Sequence, residues 1–373
     1  MDIRSYLGSP ADIERDLLFC GIATKSRVLI HRAAEQILAR EDYFDRLKAI
    51  DDVITDDSFP FWQSGVWKGF PKFDTAGGSF LLAFPILHHV ADIRRTFAER
   101  GIPEEYLREL MADLERWIET YDDRTRGLAG FEEIAWLREH ISCRMFQVGR
   151  LQFQPSRWHL PYTLLKNNAS GAFVLVAHGG DSVSVDGRYT SSLGVCREGA
   201  KEVVYSENAD GYFGHRTLPD GTLAREPELF KAAEWTRYIA DGDAVINIHI
   251  PSGAPLDPAA CRASVRDAVA FFKKYFPDWP IANAKAMVCE TWLLCPDFPK
   301  ILPAESNILG FQKMFIPFPC RNMGDGQFYE RAFVPYGRAV TRADLKTRLQ
   351  FALFDHIAAG HVPLEGGGVI PLE

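Results

Sequence analysis

The sequence predicts an α+β or α/β protein with a mostly helical N-terminal domain, residues 1–143, and a second domain, residues 144–373, built on a mixed sheet flanked by helices. Helical spacing of apolar residues dominates the chain up to about Arg144. After Cys143, short runs rich in Val, Phe and Tyr replace this spacing, and such runs are typical of strands. From Asp243 onward, strand and helix patterns alternate, as in α/β domains.

The clearest helical segment of the first domain begins after Pro103 and ends toward Gly127. Its apolar residues share one face at helical spacing: Leu107, Leu110, Met111, Leu114, Trp117, Ile118 and Tyr121. This pattern predicts one amphipathic core helix.

Residues 58–84 interrupt the helical pattern with prolines and glycines, and they carry many aromatic side chains. The composition predicts an aromatic loop. From Phe59 to Phe73 this loop is either a lid or interface or a set of aromatic side chains packed in the core.

Four Asp-Gly pairs separate the strand-like runs that follow residue 143. Asp-Gly suits turns that need a positive φ, so these pairs predict hairpins and an antiparallel sheet. The pairs are Asp186-Gly187, Asp210-Gly211, Asp220-Gly221 and Asp241-Gly242, and the runs are Met145 to Phe153, Ala172 to Ala177 and Glu202 to Tyr205.

The last third of the chain predicts a strand, a turn and a helix between Asp243 and Phe276. Isoleucines alternate with Asn247 and His249 along the strand. Asp257 caps the helix, Pro258 begins it, and Pro277 ends it. Further predicted elements are a strand at 286–294, a helix at 305–315, a strand around 331–336, and a helix opened by Thr341 and Asp344 and closed by Gly360; the glycines at 366–368 lie in a predicted C-terminal tail.

The charge balance argues against nucleic acid as a partner. The 373 residues include 42 Lys and Arg against 50 Asp and Glu, for a net charge of -8, and no basic run stands out. Residues 1–16 lack the apolar core of a signal peptide, and no stretch of about 18 apolar residues occurs, so we expect no membrane span and a cytoplasmic location.

The seven cysteines are scattered, odd in number and never spaced as C-x-x-C. Neither a disulfide framework nor a structural zinc site is expected. Signatures of nucleotide triphosphatases, zincins, serine hydrolases and dinucleotide dehydrogenases are absent as well. The pair His88-His89 has no nearby ligand set in the sequence, so it is predicted to be structural and no metal is expected.

The turn between the strand and the helix is a candidate anion site. Unpaired backbone N–H groups and the positive end of the helix dipole meet at such a turn, and Arg262 and Arg266 would add charge. The alternative is an ordinary strand-to-helix turn that needs small residues.

Three side chains are candidates for proton transfer. Histidine is the residue type that most often serves as a general base near neutral pH, so His249 would act as one, or it is a packed histidine. Glu290, in the strand at 286–294, would have a raised pKa among apolar neighbours, or it lies at a strand edge open to water. Ser306 would protonate a leaving thiolate, or it caps a helix.

Several ordered motifs give the chain a specific resemblance. They are Trp136 to His140, Gly149 to Phe153, Ile248 to Pro251, Phe271-Phe272 with Tyr275 to Pro277, Cys289 to Leu294, and Leu302-Pro303 with Ser306 to Ile308 and Phe311-Gln312. With them, the chain from about Leu82 to the last strand resembles a bacterial acyltransferase family that pairs an N-terminal N-acyltransferase domain with a C-terminal GNAT-like domain.

The resemblance implies a GNAT-like mixed sheet in which the strand at 244–250 and the strand at 286–294 splay apart. It also implies coenzyme A or acyl-CoA as co-substrate, bound through the backbone at the end of the first of these strands and the turn after it. The implied binding residues are Ile250, Pro251, Ser252, Gly253, Ala254, Leu256 and Arg262. The usual glycine-rich phosphate loop is not present, and Pro255 removes one backbone donor.

The leading hypothesis is an acyl-CoA-dependent acyltransferase that acts on a small amine, with Glu290, His249 and Ser306 as catalytic residues. A catalytically degenerate GNAT-like protein that binds a ligand is the alternative. A third hypothesis is a cysteine-dependent acyl hydrolase or transferase that uses Cys289 or Cys295 with His249. The acceptor, the acyl chain length and the oligomeric state are not encoded in recognisable motifs.

Overall fold

The computed structural model describes residues 1–68, 80–322 and 324–372. It forms two compact units, one of Met1–Gln154 with Ile250–Ala254 and the other of Pro155–His249 with Pro255–Glu373. A mostly helical N-terminal region precedes a mixed sheet flanked by helices, so the predicted fold class is confirmed. Part of the predicted aromatic loop, residues 69–79, lies outside the described residues.

The first unit consists mainly of helices whose apolar faces are buried. Its helices are α1 (Ile3–Leu7), α2 (Pro10–Phe19), α3 (Thr24–Leu38), α4 (Glu41–Asp51), α5 (Phe61–Ser64), α6 (Ala83–His88), α7 (Val90–Glu99), α8 (Glu104–Met111), α9 (Asp113–Thr125) and α10 (Ile134–Ile141). Side-chain oxygens of Asp2 and Ser9 cap α1 and α2.

The helix predicted after Pro103 is two helices, α8 and α9, that meet at Ala112. The predicted face is nonetheless buried along both of them, as Leu107, Leu114 and Ile118 illustrate. Periodicity predicts which side chains are buried but does not detect a break that keeps those side chains on one side.

The run predicted as one strand from Met145 to Phe153 is a hairpin. Strands β1 (Phe146–Val148) and β2 (Leu151–Arg157) pair antiparallel, with Phe146 opposite Phe153. Gly149, with φ of 62°, forms the turn together with Arg150.

The second unit contains the predicted antiparallel sheet, in the order β10-β3-β4-β8-β7. The strands are β3 (Tyr162–Asn167), β4 (Phe173–Ala177), β5 (Ser182–Val183), β6 (Lys201–Glu202), β7 (Tyr205–Asn208), β8 (Gly211–Arg216), β9 (Glu228–Lys231) and β10 (Trp235–Arg237). β9 pairs with β8, and β5 pairs with β6. The glycines of all four Asp-Gly pairs have positive φ, which confirms the predicted turns.

A mixed arrangement of four strands follows, in the order β11-β12-β14-β13. These are β11 (Ala244–His249), β12 (Ala286–Thr291), β13 (Ile316–Pro319) and β14 (Gly366–Pro371). β11 and β12 are parallel and are joined through the predicted helix, α11 (Pro258–Tyr275), whereas β14 is antiparallel to β12 and β13. The strand predicted to reach residue 294 therefore ends at Thr291, where a 3-10 turn begins.

The remaining helices correct several predictions. They are α12 (Phe298–Ile301), α13 (Asn307–Gln312), α14 (Gly326–Ala332) and α15 (Arg348–Ala358). The strand predicted around 331–336 is wrong because α14 occupies the start of that region. The Thr341 and Asp344 box caps a 3-10 turn, and the last helix begins at a second box formed by Thr347 and Gln350.

The predicted C-terminal tail at 366–368 is also wrong, because these glycines form the first half of β14, inside the sheet. A Cβ at Gly366 would overlap the carbonyl oxygen of Leu294, and one at Gly368 would lie 2.6 Å from Cβ of Phe315. Close packing requires glycine at these positions. Strand propensity does not reflect such packing, so the sequence pattern did not predict a strand here.

No helix among residues 1–68, 80–322 and 324–372 is both long enough and apolar enough to cross a membrane.

We expect Gly366→Ala to lower the free energy of unfolding by about 1–3 kcal/mol or more, because the new methyl group meets backbone that has no room to move. Gly324→Ala is the matched control, since a Cβ there has nothing within 4 Å. Urea denaturation of both variants measures the difference. Equal stabilities would contradict the packing argument.

Candidate active site

The two parallel strands of the second unit separate before they end. Their pairing covers Val245 with Ala286, Ile246 with Met287, and Asn247 with Val288, and it stops there. β11 nevertheless continues to His249 and β12 to Thr291.

His249 and Glu290 each lie two residues beyond the last strand pair. Side chains alternate along a strand, so both project from the same face of the sheet, on either side of the gap. His249 is half-buried and Glu290 is exposed. The structure therefore places the two residues proposed from sequence as general bases at the same level of the sheet, beyond the last strand pair.

Glu290 differs from the prediction in its surroundings, because a carboxylate desolvated by apolar neighbours was expected and the residue is exposed. The Cys320 thiol donates to Glu290 Oε1 at 3.5 Å. Burial, and then the charge of Glu290 and this hydrogen bond, raise the pKa of Cys320 well above its ordinary value. Burial and the charge of Glu290 also raise the pKa of Glu365. Glu290 thus has two neighbours that favour their protonated forms.

Ser306 occupies the N-cap position of α13, but its side chain makes no capping hydrogen bond. The alternative that Ser306 caps a helix is therefore correct for the position of the residue, but not for its hydroxyl group. α13 packs against the start of α11, where a Cβ at Gly310 would overlap the ring of Pro258. At its other end, the Gln312 side-chain amide donates to the carbonyl oxygens of Leu293 and Cys295 at 2.9 and 3.1 Å.

The turn predicted to bind an anion belongs to the first unit and is held there by Arg150. The guanidinium of Arg150 donates to the carbonyl oxygens of Pro251 at 2.9 Å and Ala254 at 2.8 Å. Within the described part of the chain, nothing accepts from the N–H groups of Ser252, Gly253 or Ala254. Because Arg150 binds the carbonyl oxygens at both ends of this segment and the three N–H groups stay open, the turn can accept an anion.

A second arginine of the first unit lies against the same turn. Gly253 has φ of +90°, and a Cβ there would be 3.7 Å from Cδ of Arg116. Nε of Arg116 donates to Asp113 at 2.8 Å, whereas its Nη2 is buried and has no hydrogen-bond partner among the described residues. The sequence did not predict a binding role for Arg116 or Arg150, because neither belongs to the strand, turn and helix predicted between Asp243 and Phe276.

Asp113 holds Arg116 in place and is itself almost fully buried. Its carboxylate accepts from His140 Nε2 and Trp136 Nε1, both at 3.0 Å. Burial by itself raises the pKa of Asp113, but the hydrogen bond and charge of His140, together with Arg116, lower it well below its ordinary value.

The remaining predicted binding residues lie in the second unit or at the edge of the turn. Ile250 and Leu256 are half-buried, and Arg262 is exposed on α11, one turn from its start. The Asp257 carboxylate accepts from the N–H of Ala260 at 2.7 Å. One of the free N–H groups at this helix end is therefore already used by a negatively charged side chain, which opposes a phosphate there.

The thiols considered as nucleophiles are unsuited to that role. Cys289 and Cys295 are buried. Burial raises the pKa of Cys289 above its ordinary value and that of Cys295 to about 12. A thiol that stays protonated at neutral pH is a weak nucleophile, so the cysteine-dependent hypothesis loses its basis.

The second unit also contains a cavity of about 990 Å³, bordered by Arg188, Asp297, Lys300 and His356 among others. Its size is that of a small-molecule site. None of the residues predicted from sequence as catalytic or cofactor-binding borders it.

The prediction that the pair His88-His89 has no ligand set is wrong. The carboxylate of Asp51 lies 2.9 Å from Nδ1 of His88 and 3.5 Å from Nε2 of His89. Asp51 is 37 positions earlier in the sequence than His88, so spacing gave no signal of this cluster.

Two family models match the chain. Residues 29–143 match the N-acyltransferase N-terminal domain, and residues 145–370 match the GNAT-like C-terminal domain. No curated protein matches it.

Several solved acyltransferases share the fold. An acyltransferase mutant in complex with octanoyl-CoA has a TM-score of 0.59 at 18% identity, over 96% of this chain and 86% of that one. An acyltransferase in complex with decanoyl-CoA and teicoplanin has a TM-score of 0.57 at 18% identity, with the same coverage. A third, in complex with decanoyl-CoA, has a TM-score of 0.57 at 19% identity, over 100% of this chain and 100% of that one.

The splayed strands and the flanking helices define a GNAT-like acyltransferase. The chain belongs to the family in which an N-acyltransferase N-terminal domain precedes a GNAT-like C-terminal domain. The resemblance identified from sequence motifs is thereby confirmed.

We expect Asp113→Asn to lower the free energy of unfolding at pH 7 by about 3–5 kcal/mol, because it removes the charge that compensates buried His140 and Arg116. The folded-state pKa of Asp113 lies below the ordinary value of about 3.9, so its contribution is complete above that pH and is lost as the pH falls below it.

The measurement is urea denaturation of both proteins between pH 7 and pH 3. The gap between them should narrow below pH ~4. A gap that is constant over this range would contradict the assigned charge state of Asp113.

Proposed function

We propose that this protein transfers an acyl group from acyl-CoA to the amine of a small molecule. The observation that carries the proposal is the gap between β11 and β12, with His249 and Glu290 on one face of the sheet beside it. A thioester placed in such a gap lies beside a side chain that can accept a proton.

The phosphates of the donor are proposed to bind at the turn Ile250–Ala254. Its open N–H groups, and the unpaired guanidinium nitrogen of Arg116 beside Gly253, support this assignment. Ile250, Pro251, Ser252, Gly253 and Ala254 would contribute backbone, as the sequence predicted. For Leu256 and Arg262 the assignment stays a prediction.

The chemistry requires two proton transfers. Glu290 or His249, directly or through a water, takes a proton from the amine, and the amine nitrogen attacks the thioester carbonyl carbon. The resulting tetrahedral intermediate carries a negative charge on the former carbonyl oxygen. The carbon–sulfur bond then breaks, and Ser306 gives its proton to the departing thiolate of coenzyme A while it regains one from solvent.

The solved structures that share the fold support acyl-CoA as donor, because they are complexes with octanoyl-CoA, decanoyl-CoA or coenzyme A. Two of them also contain teicoplanin or 10C-teicoplanin, which supports a small molecule as acceptor. A bacterial origin and a cytoplasmic location stay predictions from sequence.

A catalytically degenerate protein that binds acyl-CoA is the second candidate. The observation that favours it is the start of α11, where the carboxylate of Asp257 and the ring of Pro258 occupy positions that a phosphate-binding helix leaves open.

We expect coenzyme A and acyl-CoA to raise the melting temperature of the protein, and Arg116→Ala to weaken their binding about 10- to 100-fold, because a charge-assisted hydrogen bond contributes about 1.5–3 kcal/mol. Isothermal titration calorimetry measures the affinity. Arg262→Ala tests the sequence-based assignment, and Arg266→Ala on the exposed face of the same helix is its control. Unchanged affinity in Arg116→Ala would contradict the proposed phosphate site.

For catalysis, we expect Glu290→Gln or His249→Gln, whichever removes the general base, to lower kcat about 10²- to 10⁴-fold while KM for acyl-CoA changes little. Release of free coenzyme A from decanoyl-CoA in the presence of a panel of primary amines measures the rate, and mass spectrometry identifies the product. A wild-type protein that binds decanoyl-CoA but acylates no amine of the panel would favour the degenerate alternative.

A further inference from the structure

A compact cluster in the first unit includes none of the residues assigned to acyl transfer. Asp51 is the last residue of α4, His88 is the last residue of α6, and His89 joins α6 to α7. One ligand atom of each lies within 4.8 Å of the other two. The three side chains are 8%, 12% and 14% exposed, in that order.

The hydrogen bonds at the outer edge of the cluster fix which nitrogen of each imidazole carries a proton. Nε2 of His88 lies 2.8 Å from the carbonyl oxygen of Met1, and Nδ1 of His89 lies 3.1 Å from a carboxylate oxygen of Asp92. Both partners only accept, so these two nitrogens donate. The other nitrogen of each ring then faces Asp51.

The two ring nitrogens that face the Asp51 carboxylate need a proton or a metal ion between them and its oxygens. Nδ1 of His88 is 2.9 Å from Asp51, whereas Nε2 of His89 is 3.5 Å away, is buried, and has no hydrogen-bond partner among the described residues. Two imidazole lone pairs facing a carboxylate repel it, so either each ring holds a second proton or one metal ion replaces both protons.

The distances favour one metal ion for His89. Ligand atoms at about 2.0–2.2 Å from a tetrahedral Zn²⁺ ion lie roughly 3.4 Å from one another, close to the 3.5 Å observed. An N–H donor at that distance from a carboxylate makes a poor hydrogen bond. Metal-bound histidines also commonly donate their outer N–H to a carbonyl or a carboxylate, as both do here.

We propose that Asp51, His88 and His89 bind one divalent transition-metal ion of the Zn²⁺ class. Imidazole with carboxylate suits such ions, whereas Ca²⁺ and Mg²⁺ select oxygen ligands. Three protein ligands leave a fourth position for water. Asp92, which accepts from His89, is also paired with Arg95 at 2.5 Å.

Bound metal would tie the end of α4 to the junction of α6 and α7 and, through His88, to the backbone of Met1. Because the unfolded chain does not hold these groups together, the binding free energy adds to the stability of the first unit. The site would act on the fold of the N-terminal region and is independent of the proposed acyl transfer.

The test uses the full chain, stripped of metal and carrying Cys196→Ser so that the exposed thiol does not compete. Titration calorimetry with ZnCl₂ is expected to give one site per chain with micromolar or tighter affinity, and Zn²⁺ is expected to raise the melting temperature. Asp51→Asn, His88→Gln and His89→Gln should each weaken binding at least ~10-fold.

His31→Gln is the control, because His31 also pairs with a carboxylate, that of Glu14 at 2.9 Å, but has no second histidine beside it. It should leave zinc affinity unchanged. Melting curves without metal establish that the variants fold. Absence of stoichiometric binding, or equal affinity in the control and the three cluster variants, would overturn the proposal and leave a carboxylate flanked by two imidazolium groups.

Discussion

The loss of pairing between β11 and β12 after Asn247 and Val288 is the constraint on which the proposed chemistry depends. Backbone groups in a sheet are normally consumed by the neighbouring strand. Where two neighbouring strands continue without pairing with each other, the side chains beside the gap become accessible to a ligand. His249 and Glu290 are candidates for catalysis because they lie beside this gap. Elsewhere in the sheet they would be ordinary strand residues.

Packing at the neighbouring strand fixes the sheet on the other side of β12. The glycines of β14 allow Leu294 and Phe315 to approach its backbone, and α13 is tied through Gln312 to the segment that follows β12. The segment that follows β12 is thus held by both α13 and β14. A rigid element is a better support for a reacting group than a loop, because small displacements of that group are costly to catalysis.

Buried polar groups organise the first unit in a comparable way. The carboxylate of Asp113 binds three side chains and aims Arg116 at the turn, while that of Asp51 gathers two histidines. Such groups are stable only when each partner is present. Both clusters join residues from different helices, so each forms only when those helices pack together.

The sequence by itself determined the fold class, the unit from β11 through α11, and the face of β12 that carries Glu290, because these follow from periodicities of two and 3.6 residues and from local caps. Only the tertiary structure decided that pairing between β11 and β12 stops after Asn247, that residues 366–368 are a strand, and which partners Arg116, Arg150 and Asp51 contact. These features depend on contacts between residues far apart in the chain, and side-chain spacing along one segment does not encode them.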